Sequence, residues 1–92
     1  MAAMFMVVST WGELSRKDEL QAAETATIAR LQREGFIVQG FQRSDGGGGF
    51  TVVVEQSLEA AQARLRELPF VQNGVLRLDL FAVTPRAQPT AG

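Results

Sequence analysis

The chain is 92 residues long, enough for one domain and too short for two. It has no cysteine and no histidine, so disulfides, thiolate chemistry, a zinc site and a Ser-His-Asp triad are excluded within one chain. Nine basic against ten acidic residues give a net charge of -1, which argues against nucleic acid as a partner.

Ala3-Met4-Phe5-Met6-Val7-Val8-Ser9-Thr10 is a continuous apolar, β-prone run, suited to a central strand covered on both faces. The segment from Met1 to Thr10 has no basic start and is too short for a leader or a bilayer span. Together with the missing cysteines, this makes the expectation a cytoplasmic protein with no membrane partner. Trp11-Gly12-Glu13-Leu14 is a connector. Ser15 followed by Asp18 has the form of a helix N-cap with an acid that the helix dipole favours. The helix is expected to run to about Glu34, where Gly35 supplies a left-handed terminator.

Phe36 to Arg43 reads as a second strand and Phe50 to Glu55 as a third. Ser44-Asp45-Gly46-Gly47-Gly48-Gly49 is expected to join them as a flexible hairpin loop. A phosphate cradle is disfavoured there, because a strand and not a helix follows the glycines. Ser57 caps a second helix to about Leu68, with Leu58, Ala61, Leu65 and Leu68 at helical spacing and Pro69 as its stop. Asn73-Gly74 turns into a last strand, Val75 to Val83, on which Leu76, Leu78, Leu80 and Ala82 share a face. Arg77 and Asp79 alternate with these leucines and are expected at a rim. The domain spans residues 1–84, and 85–92 form a C-terminal tail.

Strand-helix-strand followed by strand-helix-strand predicts an α+β domain of ferredoxin-like β-α-β-β-α-β order. Its four-stranded antiparallel sheet would carry both helices on one face. Val7, Val53, Phe81 and their alternates supply apolar groups to both faces, too many for a solvated one. A second copy packed sheet to sheet would cover the other face, so a homodimer or a larger homo-oligomer is expected.

One position departs from ordinary patterning. At about 100° per residue, Leu20, Glu24, Thr27, Ile28 and Leu31 fall within one arc of the first helix, with Glu24 near its middle. A carboxylate there either reaches round to water or to an arginine such as Arg43, or it faces the sheet. Facing the sheet, it would be desolvated and its pKa raised, as proton abstraction next to a carbonyl requires. Gln39 or Arg43 would then orient a small-molecule ligand. Trp11, at the end of the first strand, either lines a pocket mouth, makes a dimer contact or packs in the core.

Leu31-Gln32-Arg33-Glu34-Gly35, the hairpin, Ser57-Leu58-Glu59-Ala60 and Leu65-Arg66-Glu67-Leu68-Pro69 together resemble the muconolactone isomerase family. The likeness runs without a gap from about Gln21 to Leu80. It implies a dimeric α/β barrel, often assembled further, that moves a lactone double bond by proton transfer in aromatic catabolism. No metal and no cofactor are expected, since the chain lacks histidine and cysteine. Glu24 falls on an acidic position of the family's first helix. The family's His-Leu-Trp-Arg is here Gln39-Gly40-Phe41-Gln42, with Arg43 one place late, and its asparagine after the hairpin is Gly49. Over the C-terminal half, Ser57-Leu58-Glu59-Ala60-Ala61 and Pro69-Phe70-Val71-Gln72-Asn73-Gly74-Val75 also resemble the YCII-like family. That family shares the barrel but uses a His-Asp pair absent here. The alternative to an isomerase is a non-catalytic binding or assembly module that kept the fold.

Overall fold

The computed structural model describes residues 2–86. Strand β1 (Ala3–Trp11) leads to helix α1 (Lys17–Arg33), then strands β2 (Ile37–Gln42) and β3 (Gly48–Glu55). Helix α2 (Leu58–Leu65), a short helical turn α3 (Pro69–Gln72) and strand β4 (Leu76–Val83) complete the domain. The sheet is antiparallel throughout, in the order β2-β3-β1-β4. This is the expected α+β, ferredoxin-like arrangement. The expected tail at 85–92 lies, from residue 87 onward, outside the described residues. No helix among the described residues is long and apolar enough to cross a membrane.

The core forms where large side chains on the helix-facing side of the sheet meet the helices. Phe5 and Val7 of β1, Val53 of β3 and Ile37 of β2 are buried against Leu31 of α1 and Ala61 and Leu65 of α2. Ser57 opens α2 as expected: its Oγ accepts the Ala60 N–H at 3.1 Å, a cap worth about 1 kcal/mol. Gly35, at φ +80°, ends α1.

Three local expectations are corrected. Ser15 does not cap α1; its N–H donates to Glu13 Oε1, and Arg16 occupies the cap position without capping through its side chain. Arg16 instead bonds Glu19 and Asn73 Oδ1, each at 2.6 Å, tying the start of α1 to the turn after α3. α2 ends at Leu65, short of the expected Leu68, so Pro69 does not stop it; with its fixed φ and no N–H to satisfy, Pro69 starts α3.

The glycine run is only partly a loop. Gly48 and Gly49 belong to β3 and pair with β1 and β2. A Cβ at Gly48 would lie 2.0 Å from the Ser9 carbonyl oxygen, and its φ of +147° is one that other residues rarely adopt. The run therefore lets three strands close up at one end of the sheet. Gly48→Ala is expected to cost at least about 2 kcal/mol in urea unfolding, through clash and strain together. Gly46→Ala, at φ +77° but with nothing within 4 Å of its Cβ, should cost only about 1 kcal/mol. Equal losses would contradict the close approach at Gly48.

Candidate functional site

Cross-strand register sorts the helix-facing side of the sheet into rows. One row holds Ile37, Val53, Phe5 and Ala82; the next holds Gly40, Thr51, Val7 and Leu80; the third holds Gln42, Gly49, Ser9 and Leu78. The first row is mostly bulky and fills the space under the helices. In the second and third rows β1, β2 and β3 present glycine, serine and threonine at several places. Side-chain volume is missing there, and a cavity of about 210 Å³ remains beneath α1. Its wall is mostly hydrocarbon from Val7, Ile28, Ile37, Leu65, Leu68 and Leu78.

Glu24 lines this cavity and is only 2% exposed. The stripe read from the helix period is thus the inward face: Glu24 and Leu31 are buried, and Leu20, Thr27 and Ile28 are half-buried. One carboxylate oxygen, Oε1, accepts the Phe70 N–H at 2.9 Å. This amide lies in the first turn of α3, where N–H groups have no partner within the helix. Among the described residues the other oxygen has no hydrogen bond, and no cation pairs with the carboxylate. Burial pushes the Glu24 pKa up, and the Phe70 N–H offsets this only in part. The carboxyl group is therefore a stronger base, once ionised, than one in water.

The polar remainder of the lining is sparse. Ser9 Oγ is engaged with Gly49, donating to its carbonyl and accepting from its N–H, each at 3.1 Å. Thr51 lines the cavity half-buried, and its hydroxyl makes no hydrogen bond among the described residues. Gln32 stands exposed at the edge. Glu24 is the one titratable side chain in the described lining.

Of the four residues singled out in the sequence, the structure places only Glu24 in the cavity. Gln39 pairs with Val52 on the opposite face of the sheet, because Ile37 pairs with Val53 and one extra residue, Val38, intervenes. The same bulge turns Gly40 toward the helices and pairs Phe41 with Phe50 of the other face, although Phe41 still borders the cavity at the strand edge. Arg43 lies beyond it in the hairpin and bonds Asp45 at 2.7 Å, neither reaching the cavity nor pairing with Glu24. Trp11 packs edge-on against Phe70, with ring centroids 6.1 Å apart, next to the amide that holds Glu24. Its contact is with the Phe70 ring, and it does not line the cavity.

Ser9, Gln32 and Thr51 were legible but not singled out. Ser9 continues the alternation Phe5, Val7; Thr51 alternates with Val53; Gln32 follows Glu24 and Ile28 at i+8. No protein-family model matches the chain, and it has no match among curated proteins.

The sign of the Glu24 contribution to stability follows from its raised pKa. The folded chain holds this proton more tightly than the unfolded one does. Its contribution is complete below the unfolded value of about 4.3 and is lost as pH rises through the folded pKa. Glu24→Gln keeps an oxygen for the Phe70 N–H and removes the ionisation. At pH 7.5 it is expected to melt at a higher temperature than wild type in thermal unfolding. The gap should close as the pH falls toward 4. A constant gap across that range would show that Glu24 titrates as it would in water.

Proposed function

We propose that this is a muconolactone isomerase-like protein that moves a proton on a small lactone or related carbonyl compound, with Glu24 as the proton carrier. The observation that carries the reading is a buried carboxylate, one oxygen held and one free, on the wall of an apolar cavity. Abstraction from a carbon conjugated to the ligand carbonyl would send the C–H electron pair into an enolate and leave the proton on Glu24. Returning the proton to the other end of the conjugated system shifts the double bond and restores the carboxylate. The Thr51 hydroxyl and the Gln32 amide are candidate donors to the enolate oxygen. The resemblance adds the setting: a step in the breakdown of aromatic compounds, which we place in the cytoplasm.

A second reading, a non-catalytic binding module, is favoured by the absence of another acid, base or cation in the described lining. Deuterium exchange separates the two. In D2O with α-angelica lactone as the probe, wild type should accelerate incorporation of deuterium at the ring carbons, followed by NMR. Glu24→Gln should lower that rate by about a hundredfold or more. Binding of the lactone with no exchange above background would favour the second reading. Exchange untouched by Glu24→Gln would remove Glu24 as the carrier.

The partner we propose is a second copy of the chain. On the face away from the helices, Phe41 (54% exposed) stands directly opposite Phe50, and Phe81 is 56% exposed. Met4, Met6, Val8, Val52 and Val54 extend the same surface, an apolar area of the kind that interfaces cover. Analytical ultracentrifugation should find at least two chains at micromolar concentration and a single chain for Phe81→Glu. A wild-type monomer under those conditions would refute the assembly.

A further inference from the structure

Gly40 has no structural reason to be glycine. Every other described glycine either has a positive φ or would bring a Cβ within 3.0 Å of a neighbouring atom. Gly40 has neither: its φ is not positive, and a Cβ there would meet nothing within 4 Å. A glycine inside a strand weakens it, having more freedom to lose and no side chain to pack. This one sits on β2, an edge strand, where a β-branched residue would ordinarily serve better.

What distinguishes Gly40 is its position. The bulge at Val38 turns it to the helix-facing side, opposite Thr51, where it lines the cavity while remaining exposed to solvent. Gln32 of α1 and Phe41, next to Gly40 on β2, are also both lining residues and exposed. Ser9, Glu24 and Leu68, by contrast, are buried. Exposure along the lining thus falls from Gly40 and Phe41 on the edge strand and Gln32 on α1 inward to Glu24.

We infer that Gly40 is the portal of the cavity, and that the missing side chain sets the size of compound that reaches Glu24. This rests on the reading of the cavity as a small-molecule site. At about 210 Å³ the cavity lies below the roughly 300–1,000 Å³ of pockets that take drug-sized ligands, and suits a five-membered lactone ring with a short substituent. A longer substituent on such a ring has to leave through the opening that Gly40 provides.

The test uses Gly40→Val with a graded set of 5-alkyl-2(5H)-furanones, from methyl to butyl, and NMR titration of the Ser9, Ile37 and Leu65 amides. The variant should fold with an unchanged or raised Tm, because nothing crowds the new side chain. Wild type should bind the whole series. Gly40→Val should lose at least about tenfold in affinity for the butyl member through steric overpacking. Its affinity for the methyl member should change by less than about threefold. Glu24→Gln should keep the wild-type size profile, because it leaves the opening intact. Equal binding of the butyl compound by wild type and Gly40→Val would overturn the portal alone. Failure of every member to perturb wild type would overturn the ligand-site reading, and the portal with it.

Discussion

The hydrogen bond from the Phe70 amide to Glu24 is the contact around which the site is organised. A carboxylate with no partner in hydrocarbon would cost several kcal/mol, and one N–H lowers that cost without cancelling it. The donor is available because Pro69 begins a new helical turn, leaving the next amide without a partner of its own. Glu24 therefore caps α3 from α1, across 46 residues of sequence. Trp11 braces Phe70 from one side, and Lys17 Nζ lies 5.2 Å from the centre of the Trp11 ring. A buried acid with a single fixed donor is held in place and still kept basic.

The attachment of α1 explains why a cavity persists beneath it. Near its C-terminal end, Arg30 bonds Glu67 at 2.7 Å and Arg64 bonds Glu34 at 2.6 Å, joining α1 to the region of α2. At its start, Arg16 reaches Asn73. Each such exposed contact is screened by solvent and contributes little by itself, but together they tie both ends of the helix to the rest of the domain. Leu31 anchors the hydrocarbon end. In the middle, where an apolar residue would ordinarily fill the gap to the sheet, Glu24 stands over Ser9, Thr51 and Gly40. Small and polar groups on both layers leave that level underfilled, and packing elsewhere keeps the layers from closing on it.

The two faces of the sheet are specialised. The helix-facing side divides between a packed core at Phe5, Val53 and Ile37 and an open level at Gly40 and Ser9. The other side carries aromatic and aliphatic groups at a density unusual for a solvated sheet, including the directly opposed Phe41 and Phe50. The bulge at Val38 governs both. It sends Phe41 to the outer face, where it adds to the apolar surface, and brings Gly40 to the inner face, where it leaves room.

The order of elements, the capping Ser57, the terminator Gly35 and the inward arc containing Glu24 could all be read from sequence, because each depends on local spacing or a single residue's chemistry. Helical period put Glu24 in the apolar arc but left it free to turn to water, to an arginine or to the sheet, and the tertiary structure decided for the sheet. Register between strands is different in kind. Alternation counted from Ile37 would turn Gln39 and Phe41 toward the helices, and one inserted residue reverses both. No local signal at Val38 announces that insertion, since it is fixed by how β2 pairs with β3. For the same reason, the close approach that requires Gly48, and the amide that Phe70 offers to Glu24, were decided only once distant segments met.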